Sequence, residues 1–232
     1  MRILTLLGIP MLFFTFEGNG PPVSLSFQYH LEHLRGWEVH VESGLYRNKE
    51  MWGKVGSLLD AKLAEIERRL PVPVVERLRK VHIWMHLNRE GCPGGVYHPS
   101  RDWLVNHDLN PQWARGVEFG NAQNFLDWEW TQPSMVIHEM SHAWHHQVLG
   151  YDHAETKDLY RKVTSQNKLE SVIYCRGGKQ RAYGLNNHQE MFAEFSEAWW
   201  GTNDFYPFVR GELLAEFPDA ATLMDKAWRF TK

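Results

Sequence analysis

"PSMVIHEMSHAWHHQVLG", residues 133–150, sets four histidines and one glutamate in a run that otherwise reads as a half-apolar helix. Pro133 and Ser134 open the run and Gly150 closes it, which are ordinary start and stop residues for a helix. The apolar positions suit a helix buried against a sheet. Within the run, His138-Glu139-Met140-Ser141-His142 has the form H-E-x-x-H. Residues four apart share one helical face, so His138 and His142 can converge on one ion. Neutral imidazole suits Zn²⁺, and two histidines plus one carboxylate leave a fourth position open for catalysis. Bound zinc lowers the pKa of a water and polarises a carbonyl. Glu139 stands beside the pair, placed to take the proton as general base and return it to the leaving amine. The chain holds thirteen histidines, so composition alone can generate the pattern; the helical flanks count against that origin. His145 and His146 do not extend the motif to H-E-x-x-H-x-x-G-x-x-H, because position 145 is His where Gly is needed and position 148 is Val. Both read as lying outside the ligand set or as exposed.

Outward from this helix, the patterning separates strands from helices. "WEVHVESGL" (37–45) alternates apolar and polar residues, a strand signal. Over 46–70, Leu58, Leu59, Leu63, Ile66 and Leu70 recur at helical spacing, and Pro71 ends that helix. "KVHIWMHL" (80–87) alternates again and predicts a second strand. "NREGCPGGVYHPS" (88–100) is rich in Gly and Pro and predicts a loop. "GVEFGNAQNFL" (116–126) predicts a short strand passing into a turn. "ESVIYCRGGKQRAYG" (170–184) predicts a hairpin about Gly177-Gly178, and "NHQEMFAEFSEAWWG" (187–201) a helix with an Asn start and a Gly stop. The C-terminal third is mostly helical. Strands first and helices later predict an α+β fold in one domain.

Composition bounds the function classes. The 232 residues can bury a sizeable core, and 43% apolar with 23% charged residues describes an ordinary globular chain. Eleven tryptophans predict an aromatic core in the first instance and an aromatic-lined cleft in the second. A net charge of −3 without a long Lys/Arg run gives no electrostatic case for nucleic acid. At the N-terminus, Arg2 precedes an apolar run from Ile3 to Phe16 that is short for a bilayer and suits the core of a secretory signal. Residues 1–20 are therefore read as a signal peptide, 21–232 as a single domain, and the protein as secreted or extracytoplasmic. No later segment is apolar enough to form a stable membrane span. Cys92 and Cys175 have neither zinc-finger spacing nor a disulfide framework; in an exported protein they could pair if they meet.

The third metal ligand must come from another element. Glu190, Glu194 and Glu197 fall at i, i+4 and i+7 of the later helix, so one face carries three carboxylates. Asn187-x-x-Glu190 is also a capping-box-like start, in which Glu190 would serve the helix N-terminus instead. Spacing alone puts Glu190 only slightly ahead of Glu194. The stretch "AYGLNNHQEMFAEFSEA" together with the upstream "HEMSH" resembles the lethal-factor-like zinc metallopeptidases, the family of the catalytic domain of anthrax lethal factor. That family carries H-E-x-x-H and, further along, Y-G-x-x-N-x-x-E-F-F-A-E. Tyr183, Gly184, Asn187, Glu190, Phe192, Ala193 and Glu194 match, and Met191 replaces the first Phe. "GTNDFYPFVRGEL" also resembles small secreted members. The likeness covers roughly residues 80–230 and is specific at the motifs.

The resemblance implies a zincin-like metallopeptidase domain, with a small mixed sheet packed on the active-site helix. It implies one catalytic Zn²⁺ held by His138, His142 and Glu190, with Glu139 as base. It further implies that Tyr183 donates its hydroxyl to the oxyanion and that Glu194 holds a ligand histidine in place. The expected activity is zinc-dependent hydrolysis of a peptide or protein substrate. An extended substrate commonly lies beside an edge strand, and "GVEFGN" (116–121) is the candidate edge, with a fully internal strand nearly as plausible. Tyr97 and His98 are candidates for the rim of the cleft. Two other readings stand beside the peptidase: a secreted aromatic-rich binding module, and a zinc protein without peptidase activity.

Overall fold

The computed structural model of the chain describes residues 27–229, so the signal segment read at 1–20 lies outside the described residues. Strands β1 (Tyr29–Leu34) and β2 (Trp37–Glu42) form an antiparallel pair. A short helix α1 (Ser43–Arg47), the long α2 (Lys49–Arg69) and α3 (Val72–Leu78) follow. Next come β3 (Ile83–Met85), β4 (Gly95–Tyr97), α4 (Arg101–Asn106), β5 (Val117–Phe119) and α5 (Ala122–Asp127). The second half holds α6 (Met135–Trp144), α7 (Ala154–Ser165), the small hairpin β6 (Val172–Ile173) and β7 (Lys179–Gln180), then α8 (His188–Trp200), α9 (Arg210–Glu216) and α10 (Pro218–Ala227).

Five strands form one mixed sheet in the order β1-β2-β3-β5-β4. β2, β3 and β5 run parallel, while β1 and β4 pair antiparallel at the two edges. The alternation read in β2 is realised as burial: Trp37, Val39 and Val41 enter the core, and Glu38, His40 and Glu42 face the other way. Ile83, Met85, Val117 and Phe119 join the same core, where α2 and α6 cover the sheet. On α2, Leu59, Leu63 and Ile66 of the predicted stripe are buried and Val55 extends it, whereas Leu58 is only half-buried and Leu70 caps the helix end. α8 packs along α6, and α9 and α10 pack on α8. Much of the tryptophan goes into the core. Trp144 stacks on Trp228 at 5.2 Å, and their indole N–H groups donate to Ala227 O and to Ser196 Oγ. Trp103 and Trp130 are exposed.

The structure bears out the broad α+β class with a mixed sheet, and among the described residues no helix is long and apolar enough to cross a membrane. Three sequence expectations change. The Gly/Pro-rich 88–100 is not all loop, because Gly95–Tyr97 forms β4. Gly and Pro break up the flanks, but a strand of three residues needs too few side chains to leave a period-2 signature. Residues 116–121 do not supply an edge strand: β5 lies between β3 and β4, and β4 is the edge. The hairpin strand stops at Gln180, and Tyr183 begins a 3₁₀ turn, Tyr183–Leu185, that leads into α8. Cys92 is buried, Cys175 is exposed, and both are free thiols.

Candidate metal centre

The centre lies where α6 crosses α8. Asn187 caps α8, its side chain accepting from the N–H groups of Gln189 and Glu190 at 2.9 Å each. The capping role expected as an alternative for Glu190 thus falls on Asn187. The Glu190 side chain turns instead to α6. Glu190 Oε2 lies 3.2 Å from His138 Nε2 and 3.2 Å from His142 Nε2, and the two imidazole nitrogens are 3.1 Å apart. A tetrahedral zinc with bonds of roughly 2.0–2.1 Å holds its donors roughly 3.3–3.4 Å from one another. The three atoms therefore already form a triangle of about the size that zinc requires, and the donor set, two imidazoles and a carboxylate, fits the ion.

Behind the triangle, His138 Nδ1 donates to Glu197 Oε1 at 2.6 Å. This fixes the ring and turns Nε2 toward Glu190 and His142, as a metal-binding imidazole would need. The expectation that Glu194 holds a ligand histidine is corrected here: Glu197 makes that bond. Seven residues on a helix return to within about 20° of the start, so Glu190 and Glu197 share one line along α8. Glu194 is rotated off it. It stands near His138 and Glu197, buried, with Oε2 lacking a hydrogen-bond partner. Burial, Asp204 and Glu197 together push the Glu194 carboxyl well above its ordinary range. Burial and Glu197 push Asp204 up to about 7. Asp204 is a site residue that the sequence reading did not single out. It sits in "GTNDFYPF" beyond α8, and no periodicity links it to the helix.

Glu139 is buried next to the histidine pair on α6, and the backbone N–H of Tyr97 in β4 donates to its carboxylate. Burial raises its pKa, more than His138 and His142 pull it down. Gly95 belongs to the same contact: a Cβ there would lie 2.9 Å from Glu139 Cγ, so only glycine lets β4 approach this closely. The Tyr183 ring stands 6.3 Å from the His138 ring, centroid to centroid. Burial first, then the charges of Glu190 and Glu139, push its hydroxyl above the ordinary phenol range, so it stays protonated.

The remaining histidines take other roles. His145 is not exposed. It is fully buried against Phe192 and Tyr151, and neither ring nitrogen has a hydrogen-bond partner. Residues His145–Leu149 form a π-helical turn that ends at Gly150, whose φ of +81° suits glycine. His146 accepts from or donates to Tyr97 Oη at 2.8 Å. Neither Tyr97 nor His98 forms an open rim by its side chain: both are buried, and His98 bonds to Glu118 at 2.7 Å. Glu118, in β5, also pairs with Arg89 and lies 3.2 Å from His86, which makes a second buried polar cluster on the opposite face of the sheet. Comparison of the chain with protein-family models, with curated proteins and with solved structures gives no match.

Proposed function

We propose that the protein is a zinc-dependent peptide-bond hydrolase, of the lethal-factor-like kind that its motifs resemble. The observation that carries this reading is the triangle of His138, His142 and Glu190, with Glu139 immediately beside it and Glu197 behind it. When bound, zinc supplies a Lewis acid that polarises a carbonyl and makes a water more acidic. Glu139 accepts the proton of the attacking water and passes it to the leaving amine. The Tyr183 hydroxyl donates to the carbonyl oxygen as negative charge builds on it. Glu197 orients His138 throughout.

β4 is the place for an extended peptide. Gly94 O accepts from Gly120 N–H, and His98 N–H donates to Gly116 O, so these two residues face β5. By ladder alternation Gly95 and Tyr97 turn their backbone groups outward. The Tyr97 N–H reaches Glu139, and among the described residues no strand pairs with this side of β4, so it is the side on which a substrate strand would add, beside the catalytic carboxylate.

Glu139→Gln provides the test. The variant is expected to retain one equivalent of zinc at the triangle and to lose cleavage of any peptide that the wild type cuts. Retained cleavage would exclude Glu139 as the base, and absence of zinc from metal-loaded wild type at His138, His142 and Glu190 would remove the reading altogether.

A further inference from the structure

The face of the sheet turned away from α2 and α6 carries, at its β2–β3 end, a second group of metal-ligand side chains, remote in sequence from α6. β2 and β3 run parallel, with Val39 opposite Ile83 and His40 opposite Trp84. One step back along both strands, Glu38 and His82 are neighbours. Side chains two apart share a sheet face, so Glu38 and His40 of β2, His82 just before β3 and Trp84 within it project to the same side, opposite the main core, where Trp84 is buried in a second cluster with Leu104 and Trp113. The contacts follow this placement. His82 Nε2 lies 3.3 Å from Glu38 Oε2, and the rings of His40 and His82 are 5.2 Å apart. One ligand atom from each of Glu38, His40 and His82 lies within 4.8 Å of the others.

We propose that Glu38, His40 and His82 form a second binding site for a divalent transition ion of the zinc, copper and nickel class. Two imidazoles and one carboxylate select this class over the oxygen-seeking Mg²⁺ and Ca²⁺. His40 is the organised member. Its ring stacks on Trp84 at 3.9 Å and 14°, which fixes its plane. Its Nε2 is buried without a hydrogen-bond partner, a polar atom left unsatisfied. Glu38 and His82 are about half exposed, at 43% and 48% of their side chains. Two of the three ligand side chains are therefore open to an ion arriving from solvent. His33, opposite Glu38 on β1, adds a further imidazole on the same face. An ion held here ties β2 to β3 and stabilises the sheet in proportion to its binding.

Zinc titration of chelator-stripped full-length protein, followed by calorimetry, tests this site apart from the one on α6. Wild type is expected to take two equivalents. His82→Asn should take one and keep the α6 ion, because the exposed position carries little folding risk. His142→Asn should likewise take one, and that ion should be lost on adding His82→Asn. Glu38→Gln, a second surface variant, should weaken only the ion lost in His82→Asn. A single equivalent that His82→Asn abolishes would retain this proposal while overturning the reading of the α6 centre. Two equivalents in a folded His82→Asn variant, or one equivalent in wild type that His82→Asn leaves intact, would overturn it.

Discussion

At the scale of single residues, the candidate centre separates carboxylates that look alike in sequence. Glu190 meets both histidines, Glu197 holds His138 from behind, and Glu194 makes no hydrogen bond to either ring. Glu197→Ala is therefore expected to weaken zinc binding roughly 10–100-fold, as loss of such a support does elsewhere. Glu194→Ala should leave zinc affinity nearly unchanged, and competition against a chromogenic chelator compares the two. Equal losses would mean that the hydrogen bond to His138 Nδ1 has no special weight. Tyr183 offers a second test. Its hydroxyl is held protonated by burial and by the acidic surroundings, which suits a donor. Tyr183→Phe keeps the ring and should keep zinc, with kcat falling roughly 10²–10³-fold. A near-wild-type kcat would take Tyr183 out of the chemistry.

At the scale of elements, the short strand β4 depends on a buried ion pair for its position. Arg89 precedes the strand and His98 follows it, and both bond to Glu118 of β5, which is fully buried. Arg89 Nη2 donates to Glu118 Oε2 at 3.0 Å, and Arg89 Nε donates to the other carboxylate oxygen. Both flanks of β4 are thus fastened to its neighbour, which holds Gly95 and Tyr97 against Glu139. Removing one partner strands the other charge in the interior, at a cost of about 3–5 kcal/mol. Glu118→Ala is expected to lose about that much in urea-induced unfolding and, if β4 receives the peptide as proposed, to raise KM, since that strand is loosened. A loss below about 1 kcal/mol would show that Arg89 finds water instead.

At the scale of the whole molecule, acid should unfold the protein through its buried histidines. His86 and His145 are fully buried, and burial lowers their pKa values to about 4 and about 3. In the unfolded chain both titrate near the ordinary value of 6.5. Below that pH the unfolded state binds protons that the native state refuses, so stability falls as pH falls. Their contribution is fully present above 6.5 and is lost progressively toward about 4 for His86 and about 3 for His145. At pH 5 each costs at most about 2 kcal/mol relative to neutral pH. Denaturant midpoints measured from neutral pH down to pH 5 should decline, and His145→Leu should flatten the decline. An unchanged slope in that variant would mean that His145 finds a proton acceptor in the native state.

Local information in the chain determined the elements that need only their own period or caps. H-E-x-x-H brings two histidines together because they are one helical turn apart, and Asn187 caps α8 because its side chain reaches backbone two and three residues on. The stripe of α2 and the alternation of β2 are likewise written in residue spacing. What the spacing left open was decided by packing between elements. Glu190, Glu194 and Glu197 fall on one broad face by period, and only the crossing of α8 on α6 assigns one to the histidine nitrogens and another to His138 Nδ1. The edge of the sheet went to β4 rather than to residues 116–121, because strand order is a long-range choice that side-chain alternation does not encode. Glu38 and His82 stand side by side only because β2 and β3 pair in parallel, in one register, across 44 residues of chain. Such pairings join groups whose sequence separation carries no signal, and so they become visible only once the backbone hydrogen bonds between strands are made.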